Sequence, residues 1–228
     1  MGGKAVTKKV LINIICVMFG VTLIGIGASL SIKAAIGVSA VDALNSGISE
    51  LTTIKVGTVS ILVNVTFVFV QMLVQKRDFK LFQLMQIPLS LLIGEVVNVM
   101  IYSVLPLITL EEYYMNLLFL VLGNLFAALG VGLCTALDFV SVPLESLCMV
   151  LSKNTKASFG EIRQRADVLI IVASLMLSLL FNGSLFIREG TIIGALLFAP
   201  MMNFIYLNLH RVFPIEQIKM DKTIKEAI

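Results

Sequence analysis

The chain has 228 residues, 58% of them hydrophobic and 14% charged, with a mean hydropathy of +1.02. A soluble domain averages about 45–50% apolar and about 25% charged residues, so water offers no place for the excess and a membrane-embedded, all-α chain is expected. The formal charge of +3 is small and its basic residues are confined to short polar segments, which argues against a nucleic-acid partner.

A helix needs about 20 apolar residues to cross the hydrocarbon core. The first stretch to qualify is 10–32. It follows Lys4, Lys8 and Lys9 as a signal peptide would, but it is too long for a cleaved apolar core and is expected to be retained. Val6 stands where myristoylation needs Ser or Thr. Segment 39–51 is too short to span and alternates apolar with polar at helical spacing, so it reads as a short helix in one face of the bilayer. Spans are then predicted at 57–74, 81–105 and 115–137, with polar connections at 75–80 and around Glu111 and Glu112. A second short amphipathic helix is expected over 142–152, followed by spans at 159–181 and 187–209.

These elements repeat. Shifted by 103 positions, Gly20, Gly27 and Gly57 fall on Gly123, Gly130 and Gly160, while Asp42 meets Glu145 and Asn64 meets Asp167. At a shift of 105, Asn98 meets Asn203 and Glu95 meets Pro200. The chain therefore divides into repeats 1–112 and 113–228. Three spans per repeat is an odd number, so the second repeat must be inverted relative to the first, a recurrent transporter plan with its site near the midplane. Of the 17 basic residues, all but Lys33, Lys55 and Arg188 fall on one side if both termini are cytoplasmic, the orientation that the positive-inside rule selects.

Small residues crowd the first and fourth spans: Gly20, Gly25, Gly27 and Ser29, then Gly123, Ala127, Ala128, Gly130 and Gly132. They predict a close helix crossing. Gly27 and Gly130 are expected to refuse leucine, and Val21 to accept it. Each short helix has an acid at its third position, Asp42 after Ser39 and Glu145 after Pro143, where a carboxylate satisfies loose amides and the helix dipole. Asp167 lies about 12 Å along its helix from Phe159, inside the hydrocarbon zone, with Arg163 one turn before it. Arg165 is read as snorkelling to the headgroups. Glu95 lies about 21 Å along its own helix from Leu81 and is expected to be neutral or a proton carrier.

Cys16, Cys134 and Cys148 show no CxxC spacing and read as reduced packing residues, and His210 has no metal-binding neighbours. With no nucleophile–histidine constellation, phosphate loop or metal-spaced cluster, neither an enzyme nor a bound cofactor is expected.

Gly25-x-Gly27, Ala34-Ala35-Ile36-Gly37, Val41-Asp42-Ala43-Leu44 and Gly57 resemble the first half of the bacterial YczE/YyaS/YitT-type integral membrane proteins. Ser158-Phe159-Gly160, Arg163, Asp167, Gly190-Thr191 and Ala199-Pro200 resemble the second half, although Ser39-Ala40 replaces a usual proline and Asp167 a commoner glutamate. The resemblance implies a multi-spanning bacterial cell-membrane protein and brings no substrate with it.

The residues favour a small-solute permease or channel-like transporter with a site formed by Arg163, Asp167, Asn64, Asp42, Glu145 and Glu95. Helix N-termini and an arginine suggest an anionic or zwitterionic solute, with Asp167 or Glu95 available for a balancing proton. The alternative is an accessory or scaffold subunit of a larger complex. Besides the bilayer, a homo-oligomer or an unidentified membrane partner is compatible with the sequence.

Overall fold

The computed structural model describes residues 2–137 and 140–212. Lys219, Lys222 and Lys225, counted among the cytoplasmic basic residues, lie outside the described residues, as do the side chains of Lys4, Lys8, Lys9, Asn203 and His210. Among the described residues there is no strand. The α-helices are α1 (Gly2–Ala34), α2 (Ala40–Thr52), α3 (Val56–Gln75), α4 (Gln86–Val99), α5 (Tyr113–Leu137), α6 (Pro143–Asn154), α7 (Phe159–Leu180) and α8 (Glu189–Val212).

Among the described residues, five stretches are long and apolar enough to cross a membrane: 11–34, 56–78, 81–107, 113–137 and 189–209. The sequence predicts six. The remaining one, α7, has 22 residues but carries Glu161, Arg163, Arg165 and Asp167 in its first half. Large apolar side chains such as Phe19, Leu62, Phe69, Leu91, Leu169 and Leu196 point outward and are exposed, as suits a surface solvated by lipid rather than water.

The molecule is assembled around α1 and α5. A Cβ on Gly27 would stand 2.5 Å from the carbonyl oxygen of Gly123, and one on Gly123 would stand 2.7 Å from that of Gly27. Gly20 and Gly130 abut in the same reciprocal way. The contacts advance along α1 as they retreat along α5, so the helices run antiparallel. Lipid tails supply no hydrophobic drive between helices, and this backbone-to-backbone dispersion takes its place. The expectation of a close small-residue crossing is met. The companion expectation for Val21 is not: Val21 is 1% exposed and packs with Val17, Ile93, Val97, Cys134 and Leu137, so that position belongs to the core.

α3 and α4 form a second tight pair. Gly57 and Gly94 touch backbone to backbone, and α4 together with the turn that follows it supplies the acceptors that the first turn of α3 lacks. The Val56 amide donates to the Tyr102 hydroxyl at 3.2 Å, and the Gly57 amide to Asn98 Oδ1 at 3.0 Å. In hydrocarbon, orphan amides at a helix start must find protein partners. The segment predicted as one span over 81–105 is less regular than expected. Gln86–Val99 is α-helical, but 3-10 turns over Leu81–Met85 and Leu105–Leu107 and a π-turn over Met100–Val104 flank it. Pro88 has no amide to donate to Leu84, so the helix cannot extend backwards in α register.

Both short helices form where predicted and pack on a helix of the opposite half: α2 on α7 as well as α3, and α6 on α3 as well as α7. All three cysteines are free thiols, with Cys134 and Cys148 buried, which fits packing residues.

Candidate functional site

Both short helices begin at one cleft. Ser39 caps α2 from an extended backbone: its hydroxyl accepts the Asp42 amide at 3.2 Å and donates to Asp42 Oδ2 at 2.7 Å. α6 starts with Pro143 at its first position and Glu145 at its third, with no side-chain cap from Val142. The two starts, with α1, α3, α4, α5, α7 and α8, line a cleft of about 260 Å³. Burial pushes the Asp42 carboxyl above the usual carboxylate range, against the opposing pull of the Ser39 hydrogen bond.

Five of the six expected site residues line this cleft: Asp42, Asn64, Glu145, Arg163 and Asp167. Arg163 joins two of them. Its guanidinium bonds Asp167 one turn along α7 and lies 3.6 Å from Glu145 Oε1 of α6. The expected positive centre is thus flanked by two carboxylates.

Across the cleft, the Asn64 amide donates to the Ser60 carbonyl at 3.0 Å and approaches the Ser60 hydroxyl at 3.4 Å. Ser60 and Asn64 stand 103 positions before Arg163 and Asp167. A neutral hydrogen-bonded pair on α3 therefore faces a charged pair on α7, each spaced by one helical turn.

Glu95 does not join them. It is exposed on the outer face of α4, away from the cleft. Its helix turns Ile93, Gly94 and Val97 inward instead, and the gap opposite Gly94 is filled by the Gly57 carbonyl and the Ile61 side chain of α3.

The cleft also holds polar residues that the sequence reading passed over: Asn45, Ser60, Asn124 and Thr191. Asn45 follows Asp42 by three positions and so shares its helix face. That spacing was the available signal. The repeat could not reveal Asn45 or Asn124, because their counterparts at a shift of 103 are Cys148 and Val21.

The matching family model, described as a family of unknown function (DUF6198), covers residues 11–206. The chain belongs to this family. Among curated proteins it is similar to the uncharacterized protein YyaS of Bacillus subtilis (strain 168), with 24% identity over 199 residues, 84% of this chain and 94% of that one. No solved structure matches the chain. The YyaS-type resemblance read from Gly25, Gly27, Ala34–Gly37, Arg163 and Asp167 is therefore correct at the level of the family.

Proposed function

We propose that the protein is a small-solute permease of the bacterial cell membrane, with six spans arranged as two inverted repeats, both termini cytoplasmic, and its site in the central cleft. The observation that carries this reading is that both half-helix starts and both one-turn polar pairs converge on a single cavity. Paired groups that only stabilised the fold would have no need of a shared empty space.

The repeat finds support in the contacts. The pairs Gly20 with Gly130 and Gly27 with Gly123 exchange into one another under the 103-residue shift, as a two-fold axis in the membrane plane requires. Ile24 and Ala127, and Ala28 and Val131, are further mates at that shift, and all four line the cleft. The packing of α2 on α7 has its counterpart in α6 on α3, and α1 on α4 in α5 on α8. The α3–α4 pair has no equally close α7–α8 counterpart among the described residues, so one half is looser. A looser half is where an alternating-access motion would occur. The charge balance around Arg163 favours the zwitterionic over the purely anionic class of solute.

The scaffold reading retains one specific support: Glu95 is exposed on an apolar face beside Leu91 and Val99, where a carboxylate is costly without a partner. The two readings part on access to the cleft. In a background lacking native cysteines, Asn124→Cys is treated with a membrane-impermeant thiol reagent in right-side-out and inside-out vesicles. A permease exposes this position to both sides in turn; labelling from neither side establishes the scaffold instead.

A further inference from the structure

Resting on the permease reading, we propose that the cleft recognises its solute through a protonated primary amine, one positive charge bearing N–H donors, held between Asp42 and Glu145.

The charge count comes first. Asp42, Glu145 and Asp167 line the cleft with Arg163 as their cationic neighbour, and a cation bound beside Asp42 favours its ionised form against the burial that opposes it. Each helix start adds roughly half a positive charge, and two of them leave the cavity short by about one. A singly charged cation matches that deficit, whereas an anion would enter against it.

Hydrogen-bond capacity points the same way. Asn45 is 1% exposed, lines the cleft, and its Oδ1 has no hydrogen-bond partner. Glu145 Oε2 is likewise shielded and unpartnered. The Asn64 and Asn124 amides give their N–H groups to the Ser60 and Leu120 carbonyls of their own helices. Only an NH₂ can face a carbonyl, so both asparagines keep their oxygens as the remaining capacity. The buried side-chain atoms left without a partner at the cleft, Asn45 Oδ1 and Glu145 Oε2, are both acceptors. A buried acceptor without a donor is costly, and a bound ammonium supplies up to three donors.

Shape separates an amine from a metal ion. Among the described residues no group of three or more acidic, histidine or cysteine side chains is placed to hold a metal; the acceptors are spread over α2, α3, α5 and α6. Apolar wall from Ile24, Ala127 and Phe198 leaves room for a short carbon stem. At about 260 Å³ the cavity lies just below the range of about 300–1,000 Å³ typical of small-molecule pockets, so the solute is small.

The full-length protein in detergent is titrated with propylammonium, tetramethylammonium and propionate, following thermal unfolding and calorimetric binding. Propylammonium is expected to stabilise the protein saturably. Tetramethylammonium, equal in charge but lacking N–H, should bind at least about tenfold more weakly, and propionate should give no shift. Asn45→Leu removes the orphan acceptor, so the unliganded protein should unfold at an unchanged or higher temperature while propylammonium affinity falls about tenfold or more. Glu145→Gln should weaken it similarly. Propionate binding in place of the amine, equal binding of the two ammonium ions, an unchanged affinity in Asn45→Leu, or no amine binding at all would each overturn the proposal. Failure here leaves the two-sided access of Asn124→Cys intact, so an incorrect solute class is distinguishable from an incorrect permease reading.

Discussion

Arg163 is the residue on which the site turns, because it reaches a neighbour on its own helix and another on α6. Its side chain is 25% exposed, and those of Glu145 and Asp167 are 21% and 36% exposed. A fully buried ion loses about 3–5 kcal/mol of stability when its partner is removed; with this much solvent screening, about 2 kcal/mol is expected for Arg163→Gln. Adding Glu145→Gln should return part of that loss, since one stranded carboxylate is then gone. A double-mutant cycle by thermal unfolding measures the coupling, and strict additivity would mean that the 3.6 Å contact contributes nothing. A second carboxylate, Glu50 at the end of α2, accepts the Ser184 hydroxyl at 2.6 Å and the Ser184 amide at 2.8 Å. These bonds hold its carboxyl below the usual range, the hydroxyl contributing most. A depressed acid contributes stability above its unfolded value, about pH 4, and loses it as pH falls through the lower folded value. The stability gap between wild type and Glu50→Gln should therefore be full at pH 7 and shrink below about pH 4. A gap that persists undiminished at lower pH would contradict this tie between α2 and the segment after α7.

The α1–α5 crossing decides how much of the fold a single substitution can undo. Overpacking a side chain into a core costs about 1–3 kcal/mol when neighbours can shift. Opposite Gly27 the neighbours are the Gly123 carbonyl and the Ala127 amide, which are backbone and cannot turn aside. Gly27→Leu or Gly130→Leu should cost more than about 3 kcal/mol, measured as lost folded yield and a lowered unfolding temperature. Phe19→Leu, at an outward position 59% exposed, should change stability by under about 0.5 kcal/mol. This crossing was legible because glycine is conspicuous and its spacing repeats. Val21 was misjudged for a related reason: apolar residues occur all round a membrane helix, so hydrophobicity cannot tell a core face from a lipid face. Glu95 failed on the same ambiguity, since depth along a helix can be counted from sequence but azimuth cannot. The caps at Ser39 and Pro143 were legible because capping is local chemistry. The joining of Glu145 to Arg163 was not, as it depends on how α6 docks against α7.

At the scale of the molecule, the antiparallel α1–α5 and α3–α4 pairs place the ends of neighbouring helices at opposite poles. The start of α3 meets the end of α4 through Val56 with Tyr102 and Gly57 with Asn98, so the segment after α3 and the segment after α4 emerge at opposite ends. Asp78 and Glu111 mark these two segments, and both are exposed. If α3 and α4 each cross the bilayer, the two residues must lie on opposite sides of it, whatever the absolute orientation. The basic residues then choose between the two possibilities. Lys76, Arg77 and Lys80 surround Asp78, whereas Glu111 is followed by Glu112 with no lysine or arginine nearby in the sequence, so the positive-inside rule predicts Asp78 on the cytoplasmic side. Cysteine at Glu111, with Cys16, Cys134 and Cys148 replaced by alanine, should react with an impermeant maleimide on intact cells. Cysteine at Asp78 should react only after permeabilisation. Labelling of Asp78→Cys alone from outside would reverse the orientation while preserving the fold. Labelling of both from outside would mean that α3 and α4 do not span, and the inverted repeat would fall with them.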